Sequence, residues 1–428
     1  MTEIRDPVHG PILLDAGETA IVDSFPYQRL RNIKQLGFAE MTFPGSTHTR
    51  YLHSLGTLHL AGRVFDQVFP EGGWLGGAER VRFRQAVRLA ALLHDIGHPP
   101  LSHTVEGLLP PLAELGLPEP FATEDRRAGH EDMSLAIIRG TDVGDRIEEG
   151  FGALGVTRDL VAGLIEPGFP VPEGSYVAAG RNLRPVLCQI VSSELDVDRM
   201  DYLLRDSYFT GASYGRFDHD WLIRGLTHHE AEGMVNLALH GRAVLAFEDF
   251  LLSRYHMFVM VYFHQRTNAY DRMLLRFFES LERPFSFPSD LSVYCECDDA
   301  YLYAILREHR RNAWSQAILE RRPLPLVAGL EGERAERAKP LLDAAVRGAG
   351  LHPEWIASTG ILSKYHGKTD DAYRRIFVVE ERARAIPLEK ATDLFERYQA
   401  KKYLLRLHVP VAEKDRARKV ADEVLAGV

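Results

Sequence analysis

Apolar residues recur at helical spacing through most of the first two thirds of the chain. From Val81 to Gly97, "VRFRQAVRLAALLHDIG" predicts a helix that Gly97 and Pro99–Pro100 stop. Glu131 to Gly140 predicts a short helix ending at glycine. Arg184 to Phe209 predicts one long helix, or two broken near Ser192–Ser193. Phe247 to Leu281 is apolar on most sides and predicts a long buried helix. The pattern changes after Pro284, where "PFSFPSD" reads as a linker. Arg374 to Glu381 and Tyr403 to Pro410 are β-branched or alternating runs suited to strands, and Glu413 to Ala426 is a final amphipathic helix. The expected fold is mainly α, with an all-α domain over 1–285 and a smaller C-terminal α+β region over 286–428.

Composition narrows the setting. The 428 residues are 45% hydrophobic and 26% charged, which is a globular balance. A net charge of −9 argues against nucleic-acid binding driven by bulk charge. Three cysteines, Cys188, Cys295 and Cys297, match neither a zinc nor a redox spacing and suit a reducing compartment. The opening "MTEIRDPVHG" shows no basic-then-apolar pattern, so no signal peptide is expected, and Arg254, His256 and His264 interrupt the most apolar stretch. The expectation is a cytoplasmic protein with no membrane span.

Chemistry concentrates in "ALLHDIGHPPLSH", Ala91 to His103. Buried charges and imidazoles need partners. His94 and Asp95 can converge on one ion at a frayed helix end, and His98 lies one turn beyond His94. His53 in "HTRYLHSLG" is a further candidate. In "ELDVDRMDYLLRD", Asp198, Tyr202 and Asp206 at i, i+4 and i+8 line one helical stripe, which in a buried helix needs a polar cavity or a ligand. Taken singly, each histidine reads as structural. A doublet joined by a distant histidine and a distant aspartate points to iron, manganese, nickel or zinc.

Six ordered blocks, "RDPVHGPILL", "YQRLRNIKQLG", "FPGSTHTRYLHSLG", "LLHDIGHPPLSH", "GHEDMS" and "DVDRMDYLLRD", resemble the HD-domain phosphohydrolases. More closely they resemble the deoxynucleoside triphosphate (dNTP) triphosphohydrolases related to the mammalian enzyme with a sterile-alpha-motif and an HD domain, here without the sterile-alpha-motif domain. The resemblance implies an HD helical core and His53, His94, Asp95 and Asp198 as metal ligands. It implies substrate contacts from Arg50, Gln35, Leu36, Arg199, Tyr202, Asp206, Arg254 and Tyr262, with Tyr262 and Leu36 crowding the sugar 2′ position. His98, His103 and His130 match histidines around the α-phosphate, with Glu106 where the family has aspartate paired to the His103 equivalent. His103 is the expected acid for the leaving 5′-oxygen, and magnesium is expected with the triphosphate. Asp23, Gln28 and Arg31 match an inter-subunit activator site for GTP, dGTP or another dNTP, which implies a homo-oligomer, dimer or tetramer. Thr2 stands near where that pocket has lysine.

The alternatives are an HD enzyme acting on a nucleoside monophosphate, a cyclic nucleotide or an alarmone, a nucleotide sensor or single-stranded nucleic-acid binder, and a structural module. The last leaves the polar stripe unexplained.

Overall fold

The computed structural model describes residues 1–360, 375–380, 385–397 and 402–427. Helices dominate, and those that frame the site are α1 (Arg50–Val68), α2 (Gly77–Leu93), α3 (His130–Gly140), α4 (Arg184–Val191), α5 (Val197–Thr210), α6 (Val244–Met257) and α7 (Gln265–Glu279). Helix α2 buries Phe83, Ala86, Val87, Leu89, Ala90 and Leu93, so its apolar spacing is realised as core packing. The chain breaks between α4 and α5, as in the second of the two expected arrangements. Asp196 makes the new start by accepting the Arg199 N–H at 2.8 Å, and Gly211 at φ 74° closes the far end of α5.

The long helix expected over 247–281 is not continuous. Helix α6 ends at Met257, Phe258–Tyr262 forms a π-helical turn, and α7 restarts at Gln265. The segment holds no proline or glycine, so its pattern carries no break signal. The turn instead serves a long-range bond, because Tyr262 Oη donates to Asp206 Oδ2 at 2.8 Å. Single π turns of this kind gather at functional sites.

Strands also occur before residue 285, where only helix was expected. Thr2–Asp6 pairs with Gly10–Leu14, and Leu226–Ala231 pairs with Met234–His240, both antiparallel. The second hairpin turns at Glu232 and Gly233, both at positive φ, the geometry of a two-residue type I′ loop. Farther on, a three-stranded antiparallel sheet orders Leu326–Glu331, Lys402–His408 and Glu354–Gly360, with Lys402–His408 in the middle. Helices Gly332–Gly348 and Lys414–Leu425 cover it and share its own small core around Leu342, Val346, Leu405 and Leu407. Phe377–Val379 is a strand, although Arg374 and Glu381 at the ends of that expected run lie outside the described residues. The main core is continuous from Ile12 onward and takes in Tyr294, Leu302 and Leu306. No helix among the described residues is long and apolar enough to cross a membrane.

Candidate metal centre and substrate cavity

Helix α1 carries His53, the C-terminal end of α2 carries His94 and Asp95, and the first turn of α5 carries Asp198. Their side chains meet. His53 Nε2 lies 3.1 Å from Asp198 Oδ1 and 3.6 Å from Asp95 Oδ2. His94 Nε2 lies 3.4 Å from Asp95 Oδ1 and 3.6 Å from Asp198 Oδ1. Donors held about 2.1 Å from one ion sit at such separations. Both Nε2 atoms are buried without a hydrogen-bond partner. The other ring nitrogens are tied down: His53 Nδ1 donates to Asp201 Oδ2 at 2.7 Å and His94 Nδ1 to the Ala91 carbonyl at 2.8 Å. Fixing Nδ1 turns each Nε2 lone pair toward the common centre. Two imidazoles and two carboxylates fit a borderline divalent ion. Burial disfavours a charged His53, but Asp198 and Asp201 outweigh it and raise the ring to about 10. A divalent cation in the same place supplies the positive charge that these carboxylates otherwise draw from protons.

Asp201, absent from the sequence-based set, anchors this arrangement. It is fully buried and accepts from Arg205 Nε at 2.8 Å and Nη2 at 2.9 Å and from His9 Nε2 at 2.7 Å. Asp6 accepts from Arg205 Nη1 at 2.7 Å. The close approach explains Gly56 of "YLHSLG", where a Cβ would stand 1.8 Å from Asp201 Oδ1.

On one side of the centre the basic groups gather. Buried Arg50 pairs with Asp95 and donates through Nε to Ser102 Oγ at 2.9 Å. His98 Nε2 is 3.3 Å from Asp95 Oδ1, and burial with the nearby Arg50 charge holds this ring well below the usual histidine range. His98 stacks on His130 with centroids 4.0 Å apart, and His103 meets both edge-on. Glu106 receives Nδ1 of His103 at 3.2 Å, Nδ1 of His130 and the His130 N–H at 2.9 Å. Burial would raise that carboxyl, but these donors hold it well below its ordinary range. The three histidines offer nitrogen atoms within 4.8 Å of one another.

The backbone explains the motif between them. Gly97 packs on α3, where a Cβ would stand 2.2 Å from the Ser134 nitrogen and 2.3 Å from the His130 oxygen. Leu101 and Ser102 adopt left-handed φ of 55° and 60° on the way to His103. Asp299, also absent from the expected set, holds this bend by accepting the Leu101 N–H at 2.8 Å and the Lys34 N–H at 3.1 Å. Burial raises its carboxyl to about 6.

The opposite side carries the Tyr262–Asp206 bond. His48, another residue sequence reasoning missed, donates from Nε2 to Asp206 Oδ1 at 2.7 Å. Gln35, Leu36, Arg199 and Tyr202 line the cavity with these groups. Gln35 Oε1 is buried without a partner, and Arg199 pairs with Asp196. Arg254 is buried in an ion pair with Glu194 at 2.8 Å, and Glu194 is the member that reaches the cavity wall. The cavity has a volume of about 930 Å³. It gathers the expected metal, phosphate and sugar residues, except that His53, Glu106 and Arg254 are not among the residues that line it.

A family model described as the HD domain matches residues 50–206, and one described as the HD associated region matches 217–324. This is an HD-domain protein with the HD phosphohydrolase fold. The HD-domain chain is 32% identical over 276 residues to an uncharacterized protein of Methanocaldococcus jannaschii, covering 64% of this chain and 49% of that one. It is 30% identical over 292 residues to the deoxynucleoside triphosphate triphosphohydrolase SAMHD1 of Gallus gallus, covering 66% of this chain and 46% of that one. The matches span about half the length of these two curated relatives. Among solved structures, a hypothetical protein from Aquifex aeolicus superposes with a TM-score of 0.76 at 27% identity, covering 98% of this chain and 99% of that one.

In the HD-domain protein the expected activator residues lie away from the cavity wall, around Tyr51. Gln28 Nε2 donates to the Val22 carbonyl and Arg31 Nε to Gln28 Oε1, both at 2.7 Å. The Arg31 guanidinium sits 3.7 Å from the Tyr51 ring centroid, and Asp23 is exposed.

Proposed function

We propose that this protein hydrolyses deoxynucleoside triphosphates to deoxynucleoside and inorganic triphosphate. The observation that carries the reading is the convergence of His53, His94, Asp95 and Asp198 beside a bank of basic groups in one cavity. The similarity to SAMHD1 supports the dNTP as substrate. When bound, a divalent ion at the four donors supplies Lewis acidity at the α-phosphate and a more acidic water. His53, His94, Asp95 and Asp198 would hold it, and the triphosphate would bring magnesium.

Water oxygen forms the new bond to the α-phosphorus as the bond to the 5′-oxygen breaks. His103 protonates that oxygen, with Glu106 on Nδ1 orienting the ring. Arg50, His98, His130 and Arg199 hold the triphosphate charge, joined by Arg254 once it exchanges Glu194 for phosphate. Asp206 takes the sugar 3′-hydroxyl beside Tyr202, and Gln35 has a free acceptor for the sugar. Tyr262, braced by Asp206, and Leu36 fill the space a 2′-hydroxyl needs.

The protein is loaded with manganese, incubated with each dNTP and NTP, and the products are followed by phosphorus NMR. Stoichiometric triphosphate from dNTPs, with ribonucleotides turned over at least about tenfold more slowly, is expected. Tyr262→Ala narrows that gap. Pyrophosphate or monophosphate release instead overturns the reading.

The same proposal includes regulation. Asp23, Gln28 and Arg31 take a guanine nucleotide between subunits of a cytoplasmic homo-oligomer, the carboxylate accepting from the base and the guanidinium donating to its carbonyl. Added GTP then raises the rate, and Asp23→Ala removes the effect. Unchanged nucleotide dependence in that variant contradicts the site.

A further inference from the structure

Helix α7 presents two polar groups to the cavity that no role above uses. Thr267 and Asp271 are one helical turn apart, so they share a face. Both line the cavity. Thr267 is 7% exposed and its Oγ1 is buried with no hydrogen-bond partner. Asp271 accepts one hydrogen bond, from Thr104 Oγ1 at 2.8 Å, and no cation pairs with it among the described residues. Burial pushes its carboxyl up to about 7.

A carboxylate in a cavity wall with one hydrogen bond and no cation costs stability unless a ligand supplies further donors. It also repels a triphosphate. The basic end with Arg50, His98 and His130 therefore suits the phosphates, and Asp271 suits a neutral part of the ligand that offers N–H donors. Helix α7 packs on the 3-10 turns Gly37–Met41 and Ser102–Leu108, so this corner adjoins Leu36 on one side and the segment carrying His103 on the other.

We propose that Thr267 and Asp271, with Thr104 orienting the carboxylate, form the nucleobase end of the cavity and favour bases that carry an exocyclic amino group. The proposal rests on the nucleotide reading above. An amino group gives the open Asp271 oxygen a donor, and the Thr267 hydroxyl donates to or accepts from the neighbouring base atom. With Asp271 ionised, a base with a carbonyl in the amino position sets two acceptors against each other, so the comparison is made at about pH 8, above the raised carboxyl.

Matched pairs set an amino group against a carbonyl at one ring position: dATP against dITP, and dCTP against dUTP. Triphosphate release is measured for each nucleotide, and equilibrium binding is measured separately with the parent deoxynucleosides, which need no turnover. The amino member of each pair is expected to win by about tenfold or more, and Asp271→Ala to level the pairs. Asp271→Asn, equal in volume, is the second variant and narrows the preference in the same direction. Thr267→Val weakens binding of all four deoxynucleosides while metal content stays constant. Equal binding of amino and carbonyl partners by the unaltered protein overturns the proposal, as does a uniform loss across all pairs in Asp271→Ala. If no nucleotide yields triphosphate while deoxynucleoside discrimination depends on Asp271, the proposed reaction fails and the base site stands.

Discussion

Asp201 acts on the candidate metal site through His53. Its carboxylate fixes Nδ1, and Arg205 and His9 fix the carboxylate. Asp201→Asn is expected to lower divalent-ion affinity by about ten- to a hundredfold in a chelator competition, because orienting partners of metal-bound histidines carry that share. Unchanged affinity would mean that His53 is oriented by packing alone. His53, His94, Asp95 and Asp198 stood out as candidates because histidine and aspartate are costly on buried helices, and the family resemblance joined them into one expected ligand set. The sequence hid Asp201 because the i, i+4, i+8 stripe of Asp198, Tyr202 and Asp206 drew attention to one face of α5. Asp201 points from another face toward α1, and only the packing of those helices makes it a partner of His53. His48 was hidden for the same reason, since its bond to Asp206 spans 158 positions.

Between elements, the segment from Gly97 to His103 is held from outside. Asp299 satisfies two backbone N–H groups at its bend, and Asp299→Ala leaves both without that partner, at a cost of about 1–3 kcal/mol each. The variant should retain metal yet lose turnover, because His103 is no longer held at the cavity. Loss of metal together with activity would show that Asp299 supports the whole fold instead. Gly97→Ala drives a methyl into the α3 backbone, so a thermal midpoint lower by several degrees is expected, and an unchanged one contradicts the packing described. Glycine at 97 was legible as a helix stop. Its second role, close approach to α3, needed the fold. The π turn at Phe258–Tyr262 was not legible, since nothing local breaks that helix. The type I′ hairpin at Glu232–Gly233 was hidden on one side, because its first strand, Leu226–Ala231, is mostly polar and carries no apolar alternation.

Across the whole molecule, burial of neutral histidines sets a pH limit on stability. His408 joins the three-stranded sheet to Leu324, donating from Nδ1 to its carbonyl at 3.0 Å, and burial lowers the ring to about 4. The unfolded ring titrates near 6.5, so full stability holds above that pH and falls as pH drops from 6.5 toward 4, by about 3 kcal/mol in all. Hydrogen exchange in the Leu326–Glu331 and Lys402–His408 strands should rise over that window, and His408→Leu should flatten the dependence. Exchange that stays constant there would contradict the buried neutral ring. The mainly helical class was legible because periodicity over long windows reports burial directly. The packing of residues around Tyr294 and Leu302 into the main core was not, because sequence pattern shows which faces are apolar and not which element covers them. The account as a whole stands on the four donors closing around one ion, and anomalous diffraction from manganese-loaded crystals tests this most directly. One peak is predicted within about 2.0–2.2 Å of His53 Nε2, His94 Nε2 and an oxygen each of Asp95 and Asp198. A peak confined to the space between His98, His103 and His130, or His53 or Asp198 turned away from the ion, would contradict it.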